Sequence, residues 1–361
     1  MDRIHNFNAG PGVLPEPVLK QAQQDVWNIG GSGMGIMEHS HRGKLFERIL
    51  NDAVDQARAL AKIPDNYRVL FIQGGATQQF AMVPMNLLAA GRTADYLITG
   101  VWSEKALAEA KKFGTAHTAW TGQAEGFVRI PRPDEIRYSG DPVYVHVTTN
   151  NTIYGTQWQS MPRVPSGVPL VADTSSDMFS RPIDVAEYGL IYAGAQKNLG
   201  PSGIVLVIIR EDLVARAGSS LPTMLHYQTY AKENSLYNTP PTMGIYLVGQ
   251  VLKWIAQTGG LAAMAERNEA KAKVLYDFLD QSEFFRGTVD RSSRSRMNVC
   301  FRAPTEDLEK QFCAEAEKRG MSGLKGHRSV GGMRASLYNA CPAASVAALV
   351  GFMKDFEREH R

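Results

Sequence analysis

Residues 190–203 read LIYAGAQKNLGPSG and place one lysine, Lys197, in a glycine-rich turn between two apolar runs. The first run, 189–193, predicts a buried strand, and the second, 204–209, predicts another. An amine at the edge of a core is desolvated, which favours its neutral and nucleophilic form. The alternative is a lysine that extends from a strand-to-strand turn into water. The local pattern leaves both interpretations open.

A second strand end carries a carboxylate. Residues 169–172, PLVA, predict a short strand that is followed directly by Asp173. Pyridoxal phosphate needs a lysine that forms a Schiff base with it and a carboxylate that keeps its pyridine nitrogen protonated. Two strand ends can bring such groups together at the carboxyl edge of an open α/β sheet, where ligands bind. An Asp at a strand end is often only a helix or turn cap. The prediction of a pyridoxal phosphate site therefore rests on Asp173 and Lys197 as a pair.

Strands alternate with helices through most of the chain. The further predicted strands are 67–72, 94–99 and 143–147. This alternation indicates a largely parallel sheet that is covered by helices on both faces. The two strands around Lys197 are close together in sequence, which predicts one antiparallel member.

Three strand ends supply candidate ligands for a phosphorylated, flat cofactor. Gly75, Ala76 and Thr77 lie where the strand 67–72 turns into a helix, and free amides at a helix start bind phosphate. Trp102 follows the strand 94–99, where an indole can stack on a ring, although most tryptophans are core residues. Hydroxyls at 148–152 follow the strand 143–147 and can reach the cofactor.

Two glycine- and histidine-rich segments near the N-terminus fit no familiar motif. Residues 30–35, GGSGMG, follow a predicted helix, which excludes the dinucleotide fingerprint. His39 and His41 lack the helical spacing of zinc motifs, so no metal is predicted. Ser40 is expected to cap a helix over 43–62, which would leave His41 and Arg42 either free to meet an anion or simply solvated.

The C-terminal third predicts a smaller α+β domain. Its strand over 332–338 contains Arg334, which would be costly to bury without a partner. An anionic ligand and an internal salt bridge to Asp or Glu are both open as partners. His327 and Arg328 belong to a basic loop just before this strand. Upstream, Thr239 precedes two prolines at a helix start and can be a simple N-cap.

The composition limits the possible binding partners of the protein and the cellular compartment in which it works. The 361 residues carry a formal net charge of +3, and no Lys/Arg run suggests a nucleic acid partner. The three cysteines form no metal spacing and no even disulfide set, which fits a reducing compartment. No segment resembles a signal peptide or a membrane span. We therefore expect a cytoplasmic enzyme without a membrane partner.

Six motifs together resemble a known family. They are FNAGPG, SHRGK, VADTSSDMFSRPIDV, AGAQKNLGPSG, YNTPPT and GHRSVGGMRASLYNA. The chain resembles the phosphoserine aminotransferases, fold-type I pyridoxal-phosphate enzymes of serine biosynthesis, from Asn6 to the C-terminal helix. The resemblance implies a large cofactor-binding domain over 16–260, with a mostly parallel seven-stranded sheet between helices. Residues 1–15 and 261–361 would form the small α+β domain.

The resemblance also implies an activity. It is the exchange of an amino group between L-glutamate and 3-phosphohydroxypyruvate, which gives O-phospho-L-serine and 2-oxoglutarate. Some members also process the phosphohydroxythreonine intermediate of pyridoxine synthesis, and the sequence leaves open whether this chain does. The implied assembly is a homodimer, in which Asn238 and Thr239 reach the cofactor phosphate of the other subunit.

The implied roles of single residues follow the family's motifs. Lys197 carries pyridoxal phosphate and moves the substrate proton, Asp173 holds the ring nitrogen, and Trp102 stacks on the ring. The remaining cofactor contacts are Gly75, Ala76, Thr77, Thr152, Ser175, Gln196, Asn238 and Thr239. Some members carry Arg where Thr77 stands here, so the phosphate would depend more on amides and hydroxyls. The substrate would be bound by Arg334 at its α-carboxylate and by His41, Arg42, His327 and Arg328.

Three other functions compete with this one. An aminotransferase for glyoxylate or another small oxo acid would not need the cations of the predicted phosphate cluster. A cysteine desulfurase is disfavoured because no cysteine lies in an identifiable active-site loop. A non-catalytic cofactor-binding scaffold would tolerate the loss of Lys197 or Asp173, and both are present.

Overall fold

The computed structural model describes residues 3–216 and 220–361. Residues 1–2 of the predicted small domain lie outside this range. The strands are β1 His5–Asn6, β2 Tyr67–Gln73, β3 Thr93–Ile98, β4 Thr115–Thr121, β5 Pro142–Thr148, β6 Leu170–Asp173, β7 Leu190–Gly194, β8 Ile204–Arg210, β9 Arg286–Gly287, β10 Asn298–Arg302, β11 Met321–Ser322 and β12 Met333–Ser336. The helices are α1 Glu16–Trp27, α2 Lys44–Ala61, α3 Ala76–Leu87, α4 Val101–Ala110, α5 Glu211–Val214, α6 Tyr227–Lys232, α7 Thr242–Gln257, α8 Gly260–Gln281, α9 Glu306–Lys318 and α10 Ala343–His360.

A seven-stranded sheet forms the centre of the larger part of the molecule. Its strand order is β2-β8-β7-β6-β5-β3-β4. Only β8 runs antiparallel to its neighbours, β2 and β7, so the prediction of one antiparallel member is confirmed. Strands β6 to β8 are buried along almost their whole length, as expected for strands covered on both faces.

The strand topology brings many separate segments to one edge of the sheet. Because β5, β6 and β7 are parallel, their carboxyl ends lie together, at Thr148, Asp173 and Gly194. Strand β8 reverses direction, so the turn 195–203 begins and ends at that same edge. The sheet therefore brings together the predicted ligands that follow five of its strands, β2, β3, β5, β6 and β7.

The smaller part of the chain has its own core. Phe7 and Val13 pack with buried apolar residues between 272 and 356, around the short sheet β12-β10-β9. Strand β1 pairs in parallel with β11, which ties the N-terminal segment to this core. The division at residues 15 and 261 stays a prediction, which this grouping of buried side chains supports. Leu261 and Met264, at the start of α8, belong to the core of the larger part.

Two helix starts differ in how they are capped. The Thr305 hydroxyl accepts a hydrogen bond from the Leu308 amide at the start of α9. The prediction that Ser40 caps α2 is wrong, because this helix begins at Lys44 after Gly43. The Ser40 hydroxyl instead accepts from the Arg42 amide, within a tight turn. None of the helices in the described ranges is long and apolar enough to cross a membrane.

Candidate active site

Lys197 lies at this edge of the sheet with its side chain largely enclosed, although the residue as a whole is half-buried. Its Nζ donates a hydrogen bond to the Thr152 hydroxyl at 2.8 Å. Burial lowers the pKa of the Lys197 amine to about 8, and the Arg334 cation lowers it further, while the Asp173 carboxylate opposes this shift. The alternative of a lysine that extends into water is therefore wrong. A large share of the amine is neutral near pH 8, as a nucleophile requires.

Asp173 ends β6 on the same side and is also buried. Its Oδ1 accepts hydrogen bonds from the amide and the hydroxyl of Ser175, at 2.9 and 2.6 Å. Burial raises the pKa of Asp173, whereas the Lys197 cation and these two hydrogen bonds lower it. Within the described chain, Oδ2 accepts no hydrogen bond and is free for a further partner.

Ser175 has a more specific place than the sequence indicates. Its hydroxyl donates to Asp173 and accepts from the Gly194 amide at 3.0 Å. It therefore links the end of β6 to the end of β7. In this arrangement the Ser175 O–H already donates to Asp173, and its oxygen already accepts from Gly194. A contact of Ser175 with the cofactor stays a prediction.

Trp102 and the start of α3 complete the walls of the site. The Lys197 Nζ lies 5.7 Å from the centre of the Trp102 ring, so the indole borders the space in front of the amine. Helix α3 begins after Gly75 without a side-chain cap, which leaves the amides of Ala76 and Thr77 available to an anion. A Cβ built on Gly194 would lie 2.8 Å from the Gln196 Oε1 and 3.5 Å from the Ala76 nitrogen. Gln196 and this helix start are therefore neighbours.

Arg334 is buried on β12 and reaches across to the large sheet. Its Nη1 donates to the Thr152 carbonyl at 2.9 Å, and its Nε has no partner. The expected alternative, an internal salt bridge to Asp or Glu, is not formed by any described residue. By contrast, nearby Arg302 is paired with Glu309 at 3.0 Å. A buried guanidinium without a carboxylate is a binding group for an external one.

Thr152 therefore lies between the two cations. Its hydroxyl accepts from Lys197 and its carbonyl accepts from Arg334. The amine and the guanidinium are thus held on either side of one residue.

The predicted phosphate cluster is only partly assembled in one chain. His327 and Arg328 line a cleft of about 590 Å³ between the loop 325–332 and α9. Burial, together with the Arg334 and Arg328 cations, lowers the pKa of His327. His41 and Arg42 lie elsewhere, where the Arg42 Nε donates to the His41 ring. No hydrogen bond between described residues joins the two pairs.

Asn238 and Thr239 are likewise apart from the other site residues. The Asn238 amide nitrogen donates to the Thr239 carbonyl, and its Oδ1 has no partner although the atom is buried. Thr239 is exposed, and α7 is capped by Pro241, so Thr239 is not the N-cap. Their polar groups are available to a molecule that lies outside this chain.

The N-terminal loop and Tyr338 are parts of the site that the sequence analysis missed. Gly10 lies against the Lys197 side chain, where an added Cβ would be 3.5 Å from Cγ. An added Cβ on Gly12 would lie 2.6 Å from the Tyr338 ring and 3.0 Å from the Lys197 carbonyl. The Tyr338 hydroxyl donates to the Ala9 carbonyl. The glycines of FNAGPG indicate a turn, but a turn alone does not show what packs against it.

The side chains present fit pyridoxal phosphate. Asp173 has an oxygen free for the ring nitrogen, Trp102 offers an apolar face, and the uncapped start of α3 suits a phosphate. Lys197 supplies the amine. No group of His, Cys, Asp and Glu among the described residues is arranged to hold a metal ion.

The titration of Lys197 gives a direct test of this geometry. In the apoprotein, reductive methylation of Lys197 should have a midpoint near pH 8, because burial disfavours the charged form. Asp173→Asn should move this midpoint to lower pH, and Arg334→Met should move it to higher pH, since each removes one opposing influence. Peptide mass spectrometry after timed labelling from pH 6 to 11, about the span around these values, measures the midpoint.

A matched lysine provides the control for this measurement. Lys62 is exposed at the end of α2 and serves as the solvated reference lysine in the same samples. If Lys197 labels in parallel with Lys62, the amine is solvated and the description of the site is wrong.

Comparison with known proteins agrees with this geometry. The model of the aminotransferase class-V family matches residues 4–349. A phosphoserine aminotransferase of Herpetosiphon aurantiacus is 56% identical over 354 residues, which are 98% of each chain. The structure of phosphoserine aminotransferase from Bacillus circulans subsp. alkalophilus has a TM-score of 0.98 at 52% identity and covers 100% of both chains.

A third relative was solved with its cofactor. The pyridoxal-phosphate-bound phosphoserine aminotransferase of Trichomonas vaginalis has a TM-score of 0.92 at 39% identity. The match covers 98% of this chain and 100% of the other. The fold-type I architecture predicted from the sequence is confirmed by these matches, and the chain belongs to the class-V aminotransferase family.

Proposed function

We propose that this chain transfers an amino group between L-glutamate and 3-phosphohydroxypyruvate, which yields 2-oxoglutarate and O-phospho-L-serine. The observation that carries the proposal is the buried Lys197 amine, which shares Thr152 with the unpaired Arg334 guanidinium. Full-length similarity to phosphoserine aminotransferases supports the choice of substrates. The activity belongs to serine biosynthesis.

Pyridoxal phosphate supplies an aldehyde that binds amines and a ring that accepts the electron pair left when the substrate Cα loses its proton. Asp173 keeps the ring nitrogen protonated through its free Oδ2, and Ser175 keeps the carboxylate in place. Trp102 covers the ring and excludes water from one face. Gly75, Ala76, Thr77 and Gln196 surround the phosphate near the uncapped start of α3.

Arg334 and Lys197 then act on the substrate. Arg334 binds the α-carboxylate in a bidentate fork, which fixes the direction in which Cα faces. With the cofactor bound, the neutral Nζ of Lys197 would accept the Cα proton and later give a proton back, as a general base and acid near its own pKa. Thr152 would keep the Lys197 and Arg334 segments next to each other through its hydroxyl and its carbonyl.

The far end of the substrate needs a second set of positive charges. The phosphate of 3-phosphohydroxypyruvate is close to −2 at neutral pH, and glutamate has a carboxylate in the matching position. His327 and Arg328 supply one half of this set, beside the open cleft at α9. His41 and Arg42 supply the other half from a second copy of the chain, since one chain does not bring the two pairs together.

Substitution of these cations tests the proposed substrates. Arg328→Ala and Arg42→Ala should each raise KM for 3-phosphohydroxypyruvate by about 10–100-fold, because an ionic hydrogen bond contributes about 1.5–3 kcal/mol. KM for glutamate should rise less, since its carboxylate has a smaller charge. Arg334→Lys should impair both substrates equally, because Lys lacks the planar fork. Coupled assays in both directions measure these constants.

Arg132→Ala is the control for general charge effects, since Arg132 is exposed and pairs only with its neighbours Asp134 and Glu135. The assignment of the substrate would be contradicted if the Arg42 and Arg328 variants kept the KM values of the parent enzyme. It would also be contradicted if hydroxypyruvate, which lacks the phosphate, were used as efficiently as 3-phosphohydroxypyruvate. Activity with glyoxylate instead would favour the competing aminotransferase.

A homodimer with shared sites is the second part of the proposal. Trp27, Met34 and Met37 are exposed at and after the end of α1, and Tyr237 is exposed beside Asn238. Apolar surface of this kind indicates a protein partner. The Asn238 amide nitrogen, which donates only to the adjacent Thr239 carbonyl among the described residues, and the exposed Thr239 hydroxyl are donors suited to the cofactor phosphate of a second copy.

Mixed dimers test the shared site. A Lys197→Ala chain and an Asn238→Ala/Thr239→Ala chain should each be nearly inactive alone. After subunit exchange in equal amounts, about a quarter of the wild-type activity should return, because half of the dimers are mixed and each has one intact site. Differently tagged chains prove the exchange. No recovery in proven mixed dimers would show that each site is built from one chain.

A cytoplasmic location also remains a proposal. It rests on Cys300, Cys313 and Cys341, all of which are free thiols.

A further inference from the structure

The residue after Lys197 is a buried asparagine that bridges the two parts of the molecule. The Asn198 amide nitrogen donates to the Ser176 carbonyl at 3.2 Å, in the turn that follows Asp173. Its Oδ1 accepts from the Asn339 amide at 3.0 Å, just beyond β12. Asn198 therefore ties the lysine turn both to the Asp173 turn and to the strand end of the smaller core.

The Asn339 side chain extends this hydrogen-bond network through both its nitrogen and its oxygen. Its nitrogen donates to the Phe179 carbonyl at 3.0 Å, and its Oδ1 accepts from the Asn268 nitrogen at 2.8 Å. Asn268, on α8, also donates to the Ser180 carbonyl at 2.9 Å. The segment 176–180 and the end of β12 are thus joined by three buried asparagines.

A buried lysine fixes the same strand end from the other side. The Nζ of Lys271, on α8, donates to the carbonyls of Leu337 and Tyr338, at 3.0 and 2.7 Å. No carboxylate partners it in the described chain, and burial lowers the pKa of its amine to about 8. Even a neutral amine has two N–H donors, which match these two carbonyls. Residues 337–339 are thereby held on both sides.

These hydrogen bonds connect the two chain segments that carry the active-site cations, Lys197 and Arg334. Lys197 precedes Asn198 directly, while Arg334 lies on β12, which leads into residues 337–339. Buried polar groups persist in a core only when they are hydrogen-bonded, and their directional bonds allow one arrangement where apolar packing allows several. The mechanism described above uses none of these four side chains.

We infer that Asn198, Asn339 and Lys271 are positioning residues that set the place of the Arg334 guanidinium relative to the Lys197 amine. The inference rests on the roles proposed above for Lys197 and Arg334. Arg334 fixes the carboxylate, and Lys197 takes the proton from the adjacent carbon. A shift of Arg334 relative to Lys197 therefore misplaces the reacting atoms. Misplacement by about 1 Å can lower a rate by about 100-fold.

Asn339→Ala tests this role while it leaves both cations in place. The variant should lower kcat/KM for glutamate by about 10–100-fold, mostly through kcat, because Arg334 still binds the carboxylate but holds the substrate Cα away from the Lys197 amine. The dissociation constant of pyridoxal phosphate should change by less than about threefold, because Asp173, Trp102 and the start of α3 remain. Lys271→Met, which keeps the volume and removes both hydrogen bonds to 337–338, should act in the same direction if Asn339→Ala folds poorly.

Asn86→Ala is the matched control. Asn86 is a buried asparagine that donates to the Met82 and Leu225 carbonyls and accepts from the Tyr227 amide. Its loss should reduce thermal stability to a similar degree and leave kcat/KM for glutamate unchanged. Equal kinetic losses in the Asn86 and Asn339 variants would show that the asparagines at 198 and 339 serve stability alone, and the inference would be overturned.

A double-mutant cycle separates positioning from other effects. In an Arg334→Ala background the carboxylate is no longer bound, so Asn339→Ala should cost less than about threefold there, against the 10–100-fold expected in the parent enzyme. An equal cost in both backgrounds would overturn the inference. Failure of the proposed function is recognised separately, since the parent enzyme would then not transfer the amino group of glutamate at all.

Discussion

The structure depends on one unfavourable state, a lysine amine kept out of water beside an unpaired guanidinium. Burial lowers the pKa of the Lys197 amine, and the Arg334 cation lowers it further. The Asp173 carboxylate opposes this effect and keeps the buried charge tolerable. Each of the three groups is costly alone in a core. Together, their opposite charges offset part of this cost.

The sheet topology makes this grouping possible. Parallel strands β5, β6 and β7 bring Thr152, Asp173 and Lys197 to one edge, and the reversal at β8 returns the lysine turn to it. The smaller core then places β12 against this edge, so that Arg334 reaches the Thr152 carbonyl. The contacts that join Thr152 to Lys197 and to Arg334 are between residues far apart in sequence. The cores of the two parts therefore determine the geometry of the chemistry.

Much of the fold could be predicted from the sequence because the buried strands are continuous apolar runs. Strand β4 was missed, since its sequence TAHTAWT is polar and lies at the sheet edge. Lys197 and Asp173 were recognised from strand ends, but Ser175 as the holder of Asp173 required the fold. The sequence left open whether Arg334 pairs internally or with an anionic ligand, because such pairing depends on tertiary contacts. The prediction that Ser40 caps α2 was wrong because Gly43, three residues further along the chain, is the residue that directly precedes the helix.

The most direct test of the central claim is reduction of the holoenzyme with borohydride, which fixes pyridoxal phosphate on the amine that carries it. The account predicts a single labelled peptide that contains Lys197, and loss of this label in Lys197→Ala. Because Lys271 is a second buried lysine whose pKa is also lowered to about 8, it is an internal comparison. Label on Lys271 or on any other lysine in the parent enzyme would contradict the account.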